Sequence, residues 1–235
     1  MLRNHGIFDY KIEMGSTPTP SYPTDGLILH LDANDLLLDN STAVSTWYDT
    51  SGLGNNATQA TLSAKPIFFK NIQKGMPALY WKGAQSLATS LTISNKNLTI
   101  FSANKNTGLN GECVVGHNSP DSYIKFHYGQ IWKSSVNRGA GIIKNDTEAF
   151  EDVNRYNTWV QQYATVDNNN LIKRSSNKSA VVSSTINYTA NFNVYIGGGG
   201  YRPFYGYIGE ILIYNRAVSS EEITQLENYL YNKWI

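Results

Sequence analysis

Between Gly26 and Tyr214 the apolar residues come in short bursts and never in a long helical stripe. "LILHLD", "STWYD", "PIFFK", "ALYW", "LTIFSA", "CVVGH", "YIKFHY", "TWVQQYATV", "FNVYIG" and "YIGEILIY" are rich in β-branched and aromatic residues. Gly, Asn, Ser and Asp fill the intervals, which is the pattern of strands joined by turns. In "TWVQQYATVDNNNLIKR", alternation places Trp159, Gln161 and Tyr163 on one face and Val160, Gln162, Ala164 and Val166 on the other. Asp167 to Asn170 then supply a turn, so the segment reads as a hairpin with a wide loop. The pattern changes only at the end. Ser219 followed three residues later by Glu222 matches a capping box, and Ile223, Leu226, Leu230 and Trp234 recur at three- and four-residue intervals. A helix is predicted from about Ser220, with one apolar stripe that must dock on the strands, because a helix this short is marginal alone. The fold class is therefore all-β, a sandwich or barrel, with one short C-terminal helix.

The first 25 residues follow a different rule. Residues 16–25, "STPTPSYPTD", interleave Pro with Ser and Thr, which favours extended backbone and cannot sit in a central strand. They read as a linker between an N-terminal arm, 1–15, and one β-domain, 26–235. Within the arm, Ile7, Tyr10, Ile12 and Met14 suit a single strand, which either pairs with the domain edge or completes a sheet on a partner. At 235 residues, one all-β unit is the default.

Composition excludes more than it identifies. Net charge is +1 and the basic residues are scattered, unlike a nucleic-acid footprint. No stretch has the apolar length of a membrane span, and the first 14 residues lack the apolar core of an export signal. The single cysteine, Cys113, lies beside Val114 and Val115 and reads as a buried, inert thiol. The chain holds 26 asparagines and 16 tyrosines, a bias that fits an A+T-rich genome as well as any function.

Four blocks, "DGLILHLDAND", "WYDTSGLGNNATQ", "NTWVQQYATVDNNN" and "FYGYIGEILIYNRAVSSEEITQLENYLYNKW", resemble in this order the concanavalin A-like lectin/glucanase superfamily. The likeness is to its laminin G-like members in bacterial and viral surface proteins, and it spans residues 24–235. It implies a two-sheet antiparallel jelly roll and leaves the chemistry open. Glucanases of this superfamily carry two glutamates around an aspartate on one strand, facing a cleft. That pattern is not found: the nearest acidic cluster, Glu148, Glu151 and Asp152, has the wrong spacing for a nucleophile and acid flanking a glycosidic bond. His5, His30, His117 and His127 are isolated, and His30, inside an apolar strand, reads as structural. No enzymatic activity is expected.

Laminin G-like and legume-lectin-like members often hold calcium near the ligand. Asp32, Asn34, Asp35 and Asp49 offer the hard oxygens that Ca²⁺ would accept; the competing and favoured reading is that Asp49, Ser51, Gly52, Gly54 and Asn55 build consecutive turns, with Asx hydrogen bonds replacing backbone ones. For a sugar platform the candidates are Tyr128 and Trp132 in "FHYGQIWK" and Tyr201, Arg202, Phe204 and Tyr205 in "GGGGYRPFYG". Core packing is the more frequent fate of such rings in a sandwich. The resulting expectation is a non-catalytic, lectin-like module on a virion surface, as a phage capsid decoration or fibre component. It would bind a glycan or host-surface ligand and attach to another virion or assembly protein through residues 1–15, its oligomeric state left open. A polysaccharide-degrading enzyme of the same fold and a bacterial adhesion module are the alternatives.

Overall fold

The computed structural model describes residues 22–94, 97–108, 112–116, 125–128, 141–144, 147–150, 156–185, 192–198 and 203–235. In chain order its strands are β1 (Leu27–Asp32), β2 (Thr42–Ala43), β3 (Thr46–Trp47), β4 (Ala57–Thr58), β5 (Ile67–Gln73), β6 (Met76–Lys82), β7 (Leu87–Ile93) and β8 (Leu98–Asn106). There follow β9 (Glu112–Gly116), β10 (Lys125–Tyr128), β11 (Gly141–Lys144), β12 (Thr147–Phe150), β13 (Trp159–Val166), β14 (Leu171–Ser176), β15 (Val182–Thr185), β16 (Phe192–Ile196) and β17 (Tyr205–Tyr214). The chain closes with α1 (Ser220–Trp234).

Among the described residues these strands form two antiparallel sheets. The first runs β15-β14-β13-β8-β17-β6-β5-β2, and β1 pairs with the second half of β17. The second runs β12-β11-β10-β9-β16-β7-β4-β3. The fold is thus an all-β sandwich of two antiparallel sheets with one C-terminal helix: the alternation predicted the all-β class, sandwich or barrel, and the two-sheet form is the one the resemblance implied. Facing apolar sides fill the space between the sheets: Leu29 and Leu31 of β1, Trp47, Phe68, Leu79 and Trp81, Ile100, Val160, Ile211 and Ile213, with Val194 and Ile196 from the second sheet. Full burial of each large side chain contributes about 1.5–3 kcal/mol. The interior is not wholly apolar. Gln162 Nε2 donates to Ser102 Oγ at 3.2 Å and Asn104 Oδ1 at 3.0 Å, all three buried between the sheets.

The β13–β14 hairpin closes as the sequence indicates, with Asp167 Oδ1 accepting from the amides of Asn169 and Leu171. Cys113 is buried. The helix starts with the capping box: Ser219 Oγ accepts from the Glu222 amide, and the Glu222 carboxylate accepts from the Ser219 amide at 2.8 Å. Arg216 doubles this clamp, its Nη1 and Nη2 donating to Glu222 at 2.7 and 2.5 Å.

The stripe of α1 does not enter the space between the sheets. It lies across the outer face of the first sheet, where Leu226, Leu230 and Trp234 meet Phe101, Ala103, Trp159, Tyr163, Leu212 and Tyr214. Trp234 stacks on Trp159 at 5.2 Å and 17°. Residues 22–25, read from sequence as the end of a linker, pack on this face too. Tyr22 contacts the rings of His30 and Tyr229, and the Pro23 carbonyl accepts from the Tyr214 hydroxyl at 2.9 Å. The arm, 1–15, lies outside the described residues.

Candidate functional site

Alternation along three neighbouring strands decides what the outer face of the first sheet presents beyond the helix. In β5, Phe68 points into the sandwich and Phe69 outward; in β6, Leu79 and Trp81 point inward and Tyr80 outward. In β17, Ile208 points inward and Tyr205 and Tyr207 outward. Register then aligns them. Tyr80 is opposite both Ile67 and Tyr207, and Tyr205 is opposite Lys82. On the other side of β17, Tyr207 is opposite Lys105 of β8. Directly opposed residues share a face with Cβ atoms about 5 Å apart.

The result is an aromatic patch. The rings of Tyr80 and Tyr207 lie 4.7 Å apart at 35°, and Phe69 meets them edge-on at 6.1 and 6.5 Å. All three are half-buried, and Tyr205 is 41% exposed at the border. Burial, and next the proximity of Tyr80, push the Tyr207 hydroxyl above its ordinary pKa, so it stays protonated and available as donor or acceptor. Tyr205 is held by a glycine: a Cβ on Gly83, whose φ is +91°, would lie 2.1 Å from the phenol carbon of Tyr205, so the ring rests on bare backbone. Such rings offer flat apolar faces with polar tips, which suits the C–H faces and hydroxyls of a sugar.

The residues singled out from sequence are distributed differently. Tyr205 joins the patch. Phe204 does not, because it is fully buried between the sheets, its ring against Trp81 at 6.2 Å; the one-residue offset sends it to the opposite face. Of Tyr128 the backbone alone is described, and Trp132, Tyr201 and Arg202 lie outside the described residues. Phe69, Tyr80 and Tyr207 were read only as strand residues. Their alternation was legible, but which outward rings the helix would leave uncovered was not.

The oxygen-rich candidates are engaged by the protein itself. Asp49 accepts four hydrogen bonds, from the amides of His30, Ser51 and Asn55 and the Ser51 hydroxyl, at 2.8–2.9 Å. Asp32 caps a single 3₁₀ turn, one oxygen accepting from the Asn34 amide and side chain at 2.9 and 3.1 Å and the other from Lys233 Nζ. Asp35 is exposed. The Ser51, Asn55 and Asn34 contacts are local Asx-type bonds, whereas the His30 amide and Lys233 reach Asp49 and Asp32 from distant parts of the chain.

A further charged group sits under α1. Glu210, on the outer face of β17, is fully buried and accepts from His30 Nε2 at 2.9 Å, Tyr229 Oη at 2.6 Å, Lys233 Nζ at 2.8 Å and Trp234 Nε1 at 2.8 Å. Since Nε2 faces a carboxylate it is the donor, and Nδ1 lies within hydrogen-bond distance of the Tyr22 and Thr50 hydroxyls at 3.0 and 2.9 Å. Among the described residues, His30, Asp32 and Glu210 alone bring three potential metal ligands together. Asp32 and Glu210 hold Lys233 as their cation, and although burial pulls its pKa down, the charges and hydrogen bonds of the two carboxylates together raise it. The sequence reading of His30 as structural agrees with this arrangement.

A cleft of about 440 Å³ beside β5, lined by Asn34, Leu37, Asp39, Lys70 and Pro77, has its one ring, Phe68, on the buried side. It offers no exposed stacking surface.

No protein-family model matches the chain, and no curated protein matches it by sequence. Solved structures do match in fold. Domain 4 of AbnA, a GH43 extracellular arabinanase from Geobacillus stearothermophilus solved with arabinotriose, aligns at TM-score 0.60 and 16% identity, over 86% of this chain and 98% of that one. Trypanosoma rangeli sialidase aligns at TM-score 0.59 and 14% identity, over 91% of this chain and 34% of the sialidase. The binding domain of Paraclostridial Mosquitocidal Protein 1 aligns at 0.58 and 15%, over 89% of this chain and 53% of that one. This chain therefore spans about a third of the sialidase and about half of the mosquitocidal binding domain. At these identities the likeness concerns fold. The chain shares the two-sheet β-sandwich fold of these domains.

Proposed function

We propose that this chain is a non-catalytic carbohydrate-binding module whose sugar-facing surface is Phe69, Tyr80 and Tyr207, bordered by Tyr205. The observation that carries this reading is a contiguous set of half-exposed rings on a sheet face that solvent would otherwise favour as polar. The AbnA domain of the same fold, solved with a trisaccharide, supports it. The non-catalytic part is supported by the state of the carboxylates gathered with His30 among the described residues: Glu210 is sealed under α1, and both it and Asp32 are bound to Lys233. A virion-surface location with attachment through residues 1–15 is the finer form of the proposal, motivated by the Pro/Ser/Thr linker; deleting residues 1–20 would then abolish incorporation into particles while leaving glycan binding intact.

The test is calorimetric titration with a panel of oligosaccharides, using the intact chain and the Tyr80→Ala and Tyr207→Ala variants. Loss of one stacking ring should weaken binding about tenfold or more, taking base-on-ring stacking of about 1–3 kcal/mol as the guide, with unfolding curves confirming that the variants are folded. Undiminished affinity in the Tyr80→Ala, Tyr207→Ala double variant, or no binding by the intact chain, would refute the assignment.

A further inference from the structure

The patch has a charge as well as a shape. Lys105 stands beside Tyr207 in the ladder and Lys82 beside Tyr205, so the two ammonium groups flank the rings from β8 and β6. The face is the same one: Phe101 and Ala103, at two-residue steps from Lys105, and Ala78, four from Lys82, all pack under or beside α1. Neither ammonium makes an ion pair or hydrogen bond among the described residues. Lys70, Lys178 and Lys233, by contrast, are each placed against a carboxylate, an amide oxygen or a ring. No Asp or Glu occupies the paired positions that Ile67, Phe69, Tyr80, Lys82, Lys105, Tyr205 and Tyr207 share across β5, β6, β17 and β8.

Resting on the binding reading above, we infer that the ligand is an acidic polysaccharide, a chain of sugars carrying carboxylates such as uronic or sialic acids. A pyranose face stacks on Tyr80 and Tyr207 while carboxylates meet Lys105 on one side and Lys82 on the other. Two strand spacings across and two residues along separate the Cα atoms of the lysines by roughly 12 Å. One sugar ring does not bridge that distance, so the full site takes an oligomer. The same charges argue against a second copy of this chain as occupant: two such patches face to face would confront lysines with lysines and offer no carboxylate to either.

The experiment measures binding of the full chain to oligouronates of increasing length, to neutral oligosaccharides of matched length, and to polyglutamate. Expected are tighter binding to uronates, affinity that climbs between the monomer and short oligomers, and weakening when salt is raised from about 0.1 M to about 1 M, where the screening length falls from about 10 Å to about 3 Å. The Lys82→Gln, Lys105→Gln double variant should lose roughly tenfold for uronates and little for neutral sugars. Equal binding of neutral sugars and uronates, with Tyr80→Ala still deleterious, overturns the acidic ligand and leaves the platform standing. Equal binding of polyglutamate overturns the sugar component, and no binding of any saccharide removes both readings.

Discussion

Replacing Glu210 by Gln should lower stability by about 3 kcal/mol, and the structure fixes why. The carboxylate is 0% exposed and takes four donors on two oxygens: His30 and Tyr229 on Oε1, Lys233 and Trp234 on Oε2. A glutamine keeps one acceptor and turns the other into a donor, so in either orientation two donors, one of them buried and the other half-buried, lose their partner. Each such loss costs about 1–3 kcal/mol. Stranding Lys233 adds to this, but Asp32 still holds it and its side chain is 18% exposed, so the upper range for a broken buried pair is not reached. The same contacts set the protonation of Glu210. Burial pushes its pKa up, yet the hydrogen bond from His30 and the charge of Lys233 outweigh burial and hold it at about 2 instead of 4.5; a gap of that size corresponds to about 3 kcal/mol. Because the folded pKa is the lower one, this stabilisation is fully present above about pH 4.5 and lost as pH falls towards 2. Asp32 has the opposite sign. Burial first, and Glu210 second, raise its pKa, so its penalty in the folded state is relieved as pH falls through that raised value. Urea denaturation of both proteins from pH 7 to pH 2.5 should show a gap of about 3 kcal/mol that narrows below pH 4.5. At neutral pH the melting temperature should fall by roughly 6–12 °C for a chain of this length. A difference under about 1 kcal/mol at pH 7, or one that does not narrow in acid, would refute the argument.

Three further outcomes are expected. Gly209→Ala places a Cβ 2.3 Å from Cη2 of Trp234; the Trp159–Trp234 stack should be displaced at a cost of about 1–3 kcal/mol, and an unchanged melting curve and near-ultraviolet dichroism would contradict the close packing. Calcium and EDTA should leave the melting temperature where it is, since Asp32 and Asp49 are satisfied by Lys233 and by amides; a thermal shift with Ca²⁺ would show that a native-state site exists. Reducing-sugar release from neutral and acidic polysaccharides should stay at background, and turnover abolished by Glu148→Gln or Glu151→Gln would overturn the non-catalytic reading.

The strands and the helix were legible because their signals are local. Period-two alternation in "TWVQQYATV" assigns Trp159 and Val160 to opposite faces whatever they later pack against, and the Ser219–Glu222 pair writes the helix start within four residues. The site was less legible because it depends on separations that sequence spacing does not measure. His30 and Glu210 are 180 positions apart and Asp32 and Lys233 are 201 apart, so nothing in "LILHLDAND" announces that its His and Asp will meet the C-terminal helix. Tyr205 and Phe204 show the other limit: adjacent rings in one aromatic cluster have opposite fates, and composition alone cannot separate them.

What divides the outer face of the first sheet is the footprint of α1. The helix begins near Thr99, whose hydroxyl accepts from the Val218 amide, and ends at the β5–β6 turn, where Gln73 and Lys74 donate to the carbonyls of Trp234 and Asn232. Under it the outward residues Phe101, Tyr163, Leu212 and Tyr214 are fully buried. Beyond it, at the Tyr205 end of β17, the outward positions remain aromatic although nothing in the described chain covers them as completely. A sheet face turned to water is ordinarily polar at alternate positions, and an apolar patch kept there favours association unless it has a function. Lysines at its two sides oppose pairing of one patch with another, while leaving the rings open to a ligand that brings negative charge. Selective burial by the helix and selective charge at the rim therefore act on the same few side chains, and together they favour a sugar acid over a second protein copy as the molecule that completes this face.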